Sequence, residues 1–352
     1  MSYTAMAPAK RGCGAHPPRL VVRCTVIANQ VDMEPLPEIA DFEIISCLGY
    51  GARSTIYAVT EKATKQVYAL KRVIRKSAED DRFLEQAEQE FAIASQFDHP
   101  ALRKSIRIIR KRKLLKTMEL FLLMELVDGT SLDIQRPTKL TSLIKIFIQA
   151  AQGLGAMHRL GYVHADIKPN NILVNDENKI KIIDFGQSCA IGTVKTRIQG
   201  TPDYIAPEQV GRGPLTPATD VFNYGATLYW CTTDHHIPTL IPRKNKQGIP
   251  IETKGDARPP HEINPNIPVP LSRLIMDCVQ TLPPHRPQDF STVLPRLELA
   301  LSLARSDSPL RAPPRDLEAL IPDSRDGSSD DSRDLSNDDS GAIDIDPSEL
   351  DM

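Results

Sequence analysis

The sequence predicts an α+β chain of two lobes: a small β-rich lobe over about residues 41–127 and a larger, mainly helical lobe over about 128–304. Three observations carry this. Between Phe42 and Leu126 the apolar residues fall mostly in short strand-like runs, with one helical run among them. From Thr141 onward the apolar spacing becomes helical. A chain of 352 residues has room for one large two-lobed domain and tails on either side.

In the small lobe, Phe42-Glu43-Ile44-Ile45 begins an alternating strand, and Thr55 to Val59 and Gln66 to Val73 continue the β-rich pattern. Phe83, Ala87, Phe91 and Ala94 have helical spacing, so a helix is expected over 83–97. Two more strands follow, near Ser105 to Leu114 and Met118 to Leu126. The apolar stretch Phe121 to Met124 is closed off by Glu119 and Glu125, which makes it a buried strand. No run reaches the ~18–20 apolar residues of a membrane helix, so no membrane partner is expected.

In the large lobe, Leu143, Ile146, Phe147, Ala150, Leu154 and Met157 mark one long amphipathic helix. Ile172 to Val174 and Ile180 to Ile183 read as a hairpin around Asn175-Asp176, and Asp220 to Cys231 as a buried helix. Residues 237–270 are Pro-rich and expected to be mostly irregular. Helices resume at Leu271 to Gln280 and Phe290 to Leu303, with Pro295 a candidate kink in the second.

The flanks differ in charge. Residues 1–40 are rich in Pro, Ala and basic side chains, which predicts a disordered or variable extension. Arg23 interrupts Leu20 to Ile27, a poor match to a secretory signal. The acid-free basic start gives a weak transit-peptide hint, and Met33 is a second candidate start. From Ile321 to Met352 eleven acids face two arginines, so a chain of net charge −2 is positive elsewhere. That tail repeats itself: Ser324-Arg325-Asp326-Gly327-Ser328-Ser329-Asp330-Asp331 precedes Ser332-Arg333-Asp334-Leu335-Ser336-Asn337-Asp338-Asp339. With few apolar groups to offset ordering entropy, residues 305–352 are expected to be a disordered acidic tail. Six scattered cysteines form no CxxC pair, which argues against zinc and for free thiols in a reducing cytoplasm. His235-His236 has no ligand partners at metal spacing and reads as surface loop.

The chemistry concentrates in His164-Ala165-Asp166-Ile167-Lys168-Pro169-Asn170-Asn171, with Asp184-Phe185-Gly186 one hairpin later. A carboxylate, an ammonium and a carboxamide share one loop, and a second carboxylate follows. Phosphoryl transfer from Mg-ATP needs that set. Upstream, Leu48-Gly49-Tyr50-Gly51-Ala52-Arg53-Ser54 lies between two strands, and Ala69-Leu70-Lys71 follows on the next β run.

These motifs, in this order, resemble the eukaryotic-type serine/threonine protein kinases. The resemblance covers Phe42 to about Leu303 and implies a bilobal kinase fold that binds ATP and Mg2+ between the lobes. It implies that Asp166 orients and deprotonates the substrate hydroxyl, that Lys168 touches the γ-phosphate, and that Asn171 and Asp184 hold magnesium. Gly49 and Gly51 match the phosphate-covering loop, with Ser54 in place of a third glycine. Lys71 would grip the α- and β-phosphates and pair with Glu90; Glu85 and Glu88 are rival partners. Leu48, Ile56, Ala69 and Leu173 would enclose adenine. Met124 would be the gatekeeper, and Glu125 and Val127 would offer backbone groups to the base. Phe185 and His164 would pack rather than react. Gly200-Thr201-Pro202-Asp203-Tyr204-Ile205-Ala206-Pro207-Glu208 resembles the end of the activation segment, with Glu208 pairing Arg286. Lys168 and Thr201 follow the serine/threonine branch, so protein Ser/Thr hydroxyls are the expected substrates.

Two departures stand out. Ala165 replaces the arginine that usually precedes the catalytic aspartate and clamps an activation-loop phosphate. Activity independent of such phosphorylation is therefore expected, although Ser188, Thr193 and Thr196 lie in the segment. Ser54 and Ala165 also keep open the alternative of a catalytically weak kinase-fold scaffold. Second, Arg103, Lys104, Arg107, Arg110, Lys111, Arg112, Lys113 and Lys116 form a basic run over two strands. A solvated hairpin is the leading reading. No aromatic residues interleave, which argues against nucleic acid. Intramolecular docking of the acidic tail on this run is a further expectation.

Overall fold

The structure is a computed structural model. It describes residues 41–51, 53–238 and 257–304, together with Ile39, Leu310 and the backbone of 243–244, 250–251 and 343–345. The small lobe is a five-stranded antiparallel sheet in the order β1-β2-β3-β5-β4. Its strands are β1 (Phe42–Gly51), β2 (Ser54–Glu61), β3 (Val67–Ile74), β4 (Ser105–Lys113) and β5 (Lys116–Glu125). Helix α1 (Asp81–Ala94) lies between β3 and β4 in sequence. It buries Leu84 and Ala87 against Val73 and Leu120. Asp80 anchors the entry to α1: its carboxylate accepts the Lys76 and Ser77 N–H groups, each at 2.8 Å.

The large lobe opens with β6 (Thr130–Ser131) and α2 (Leu140–Arg159). Strands β7 (Tyr162–Val163), β8 (Ile172–Val174) and β9 (Ile180–Ile182) carry the central loops. Strands β10 (Cys189–Ala190) and β11 (Ile198–Gly200) and helix α3 (Pro207–Val210) follow. Helix α4 (Pro217–Thr233), the hairpin of β12 (Arg243–Lys244) and β13 (Pro250–Ile251), α5 (Pro260–Ile263), α6 (Val269–Cys278) and α7 (Phe290–Leu303) complete the lobe. By length and composition α2 is apolar enough to cross a bilayer. Here Leu143, Ile146, Phe147, Ala150, Leu154 and Met157 are instead buried in the lobe's own core. Phe147, Tyr224 and Phe290 stack edge to face with ring centroids 5.1 Å apart, joining α2, α4 and α7. Helices α4 and α6 approach so closely that a Cβ on Gly225 would lie 2.5 Å from that of Cys278.

Several sequence expectations need adjusting. The described part of 237–270 is mostly irregular as expected, with the short α5 and the paired β12 and β13, but α6 starts two residues early, at Val269 behind Pro268. Helix α7 is continuous through Pro295. His236 is half-buried, its ring 5.5 Å from Tyr204 and 6.2 Å from Trp230; only His235 is exposed. Cys47, Cys189, Cys231 and Cys278 are free thiols, and burial pushes Cys231 and Cys278 up to about 12. The N-terminal extension lies outside the described residues, apart from Ile39, as does most of the tail. Within that tail Ile343–Ile345 departs from the expected disorder and forms strand β14, paired antiparallel with β11.

Candidate active site

Register across the small sheet sets the first part of the site. Strand β3 pairs with both β2 and β5, so Lys71 lies beside Ile56 on one flank and Leu122 on the other. Its ammonium reaches α1 and meets Glu90 Oε2 at 2.8 Å. The rivals point elsewhere: Glu88 binds Arg110 at 2.6 Å, and Glu85 is exposed. Burial disfavours the Lys71 ammonium, but Glu90 and then Asp184 outweigh it and raise the pKa above that of a free lysine.

The catalytic-loop segment follows β7. One residue of α4 organises it: the Asp220 carboxylate accepts the N–H of His164 at 2.8 Å and of Ala165 at 2.7 Å, and also meets His158 Nε2 at 2.8 Å. Ala165 has φ +62°, a left-handed turn that the two amide bonds hold in place. The Asp166 N–H then points to His164 Nδ1 at 3.3 Å. His164 and Phe185 pack together with ring centroids 5.5 Å apart.

Asp166, Lys168 and Thr201 form a closed triangle. Thr201 Oγ1 is 2.9 Å from Asp166 Oδ1 and 2.9 Å from Lys168 Nζ, and Lys168 Nζ is 3.3 Å from Asp166 Oδ2. Asn171 donates to the Asp166 carbonyl at 2.8 Å, which leaves its Oδ1 with no hydrogen bond among the described residues. Burial raises the Asp166 pKa and Asp184 adds to this, while Lys168 and Thr201 oppose it. Asp184 is shifted the other way: burial disfavours its anion, but Lys71, Arg103 and Lys168 outweigh this and lower its pKa.

Between the lobes lies a cavity of about 260 Å3. Leu48, Ile56 and Ala69 line it from the small lobe, Glu125 and Val127 from the end of β5 and the segment after it, and Leu173 from β8. Met124 is fully buried and packs in one cluster with Ala69 and Leu122. Gly49 pairs with Ile56, and Gly51 with Ser54, at the turn of the β1–β2 hairpin. A Cβ on Gly51 would lie 2.9 Å from Ser54 Oγ.

In the large lobe, Arg286 makes a bidentate pair with Glu208 at 2.8 and 2.9 Å. It also donates to the carbonyls of Gln280, Thr281 and Ala218. A fully buried guanidinium so satisfied ties α3 and the segment before it to the helical core.

The protein kinase domain model matches residues 42–294. The chain belongs to the protein kinase family. A probable serine/threonine-protein kinase of Clostridium acetobutylicum is 27% identical over 269 residues, 73% of this chain and 39% of the relative. The serine/threonine-protein kinase PknL of Mycobacterium tuberculosis is 32% identical over 193 residues, 53% of this chain and 47% of the relative. PknB of Mycobacterium leprae is 26% identical over 262 residues, 72% and 42% respectively. The chain spans less than half the length of these relatives, all of them serine/threonine kinases by name.

Within this kinase domain one site residue went unread in the sequence. Arg103 does not join the solvated hairpin with the other bases. It is 6% exposed, lines the cavity, and lies 3.7 Å from Glu90 Oε1. Its Nε has no hydrogen-bond partner among the described residues. Glu90 is thus shared between two cations, Lys71 at one oxygen and Arg103 at the other. Four of the other seven bases meet acids: Lys104 with Asp98, Arg107 with Glu61, Arg110 with Glu88 and Lys111 with Glu119.

Proposed function

We propose that this chain transfers the γ-phosphate of ATP to serine or threonine hydroxyls of proteins. The observation that carries the reading is the Asp166–Thr201–Lys168 triangle beside Asp184, below a cavity lined as a purine site. In the step, a bond forms between the substrate hydroxyl oxygen and the γ-phosphorus. The bond from that phosphorus to the β–γ bridging oxygen breaks, and ADP leaves. Asp166 receives the hydroxyl proton; its raised pKa suits an acceptor that must hold it. Lys168 supplies positive charge where the phosphoryl group moves. The unbonded Oδ1 of Asn171 and the ionised Asp184 are hard oxygen donors that suit magnesium, which needs only one or two carboxylates besides substrate phosphates. When bound, the metal neutralises charge on the phosphate oxygens. Thr201, which touches both Asp166 and Lys168, supports serine and threonine as acceptors.

One lysine ties the activation segment to its own start. Lys195 donates to the Gln187 carbonyl at 2.6 Å and to its side-chain oxygen at 2.9 Å. Ala165 is fully buried and offers no cation. We therefore read activity as independent of segment phosphorylation. The triple substitution of Ser188, Thr193 and Thr196 by alanine should retain activity within about threefold. A loss beyond tenfold in a folded variant would overturn this reading. Free thiols suit a reducing compartment, in keeping with a cytoplasmic location.

Labelled ATP with magnesium and a generic basic protein tests the function itself. Transfer is expected from the intact chain and absent from Asp184→Ala. A scaffold that binds nucleotide would take up ATP in the same assay and incorporate no label.

A further inference from the structure

The end of the activation segment presents strand β11, which among the described residues pairs with no strand but β14. The register is antiparallel, with Ile198 opposite Ile345, Gln199 opposite Asp344 and Gly200 opposite Ile343. The pairing therefore stops one residue short of Thr201, the hydroxyl shared by Asp166 and Lys168. Gly200 suits such an edge. Its φ is +142°, and a Cβ there would lie 3.0 Å from the Ile205 side chain.

The surroundings match the tail in charge. Lys195, Arg197 and Arg212 line a shallow depression that also includes Gln199 of β11. The segment from Ile321 to Met352 carries eleven acids and two arginines. Ile343-Asp344-Ile345 alternates apolar and acidic residues, the two-residue period of a strand. Thirty-eight residues separate Ala304 from Ile343, a contour of ~130 Å, ample to reach β11 from the end of α7.

We propose that β11 is a peptide-docking edge and that the chain's own tail, through Ile343–Ile345, occupies it and competes with protein substrates. Three paired residues make a weak contact, and tethering in the same chain raises the local concentration enough to populate it. Basic residues beside the edge add a salt-sensitive attraction. The competition with substrate rests on the kinase reading above; the docking itself does not.

Amide hydrogen exchange on the full chain, without nucleotide, tests the docking directly. The variant Ile343→Pro, Ile345→Pro removes two backbone donors from β14. Exchange at 198–200 should quicken on the order of tenfold in that variant. It should stay slow in Ile343→Val, Ile345→Val, which keeps β-branched residues. Equal exchange in the intact chain and the proline variant would overturn the proposal. So would protection that fades on dilution, because a second copy would then supply the strand. In the transfer assay the proline variant should show a several-fold lower KM for protein substrate and an unchanged KM for ATP. An unchanged substrate KM would overturn the competition. A chain that transfers no phosphate at all but still protects 198–200 would refute the kinase reading and leave the docking standing.

Discussion

Asp166→Asn is expected to lower the turnover of phosphate transfer by about 10²–10⁴-fold, the usual span for loss of a positioned base. Asparagine keeps the shape and keeps an oxygen to accept from Thr201, which is 2.9 Å from Asp166 Oδ1. What it loses is the capacity to take the hydroxyl proton. The KM for ATP should change little, since Asp166 does not line the adenine cavity. Stability should not fall either. Burial raises the folded-state pKa of Asp166. A carboxyl shifted that way contributes stability below its unfolded pKa and loses it as the pH rises through the folded value. At neutral pH the charged form is therefore a cost, which a neutral amide removes. Steady-state kinetics paired with a thermal melt checks both halves. An Asp166→Asn chain that retains more than a tenth of wild-type turnover would remove Asp166 as the proton acceptor.

Asp220→Ala should be the most damaging single change to stability, about 3–5 kcal/mol, because it leaves buried partners uncompensated. The His164 and Ala165 amides and His158 Nε2 all lose their acceptor. No water replaces it readily, since Asp220 is completely buried. The urea midpoint should fall accordingly, and activity should drop with it, because the left-handed turn at Ala165 would lose the two bonds that hold it. Asp220→Asn keeps one accepting oxygen and should fall between the two. The pH dependence has a definite sign. Burial disfavours the Asp220 anion, but His158 and His164 outweigh it and hold the pKa below the usual 3.8. The stability it contributes is thus complete above pH ~4 and is lost as pH falls through the lowered value.

Much of this site was legible because its chemistry depends on residue type at fixed spacing. Asp166, Lys168, Asn171 and Asp184 had to lie close together to handle one phosphate, and the chain could be read from that need. Lys71 and Glu90 were legible as an inter-element pair, although choosing Glu90 over Glu85 and Glu88 required a family pattern. Arg103 was not legible, because a run of eight bases over two strands gives no sign of which one turns inward. Its burial depends on the segment before β4, where the Arg103 N–H donates to the Ile182 carbonyl of β9, a contact made only in the folded chain. Asp220 matched the family's helix signature, but its role in holding the loop was not legible, since its three partners come from α2 and the loop after β7. The pairing of β14 with β11 joins residues more than 140 positions apart, far beyond any local period.

Arg103 also gives the nucleotide cavity a chemical address. In the immediate neighbourhood of Glu90 and Lys71, the wall carries a guanidinium whose Nε makes no hydrogen bond among the described residues. A purine mimic that projected a carboxylate or sulfonamide toward that wall would meet a charged, pre-oriented donor in a poorly solvated setting, where such a bond is worth roughly twice a neutral one. A domain with an aliphatic residue at this position would bury the same anionic group unpaired and reject it. One buried arginine thus makes it chemically possible to fill this cavity while sparing those of other domains that share the fold.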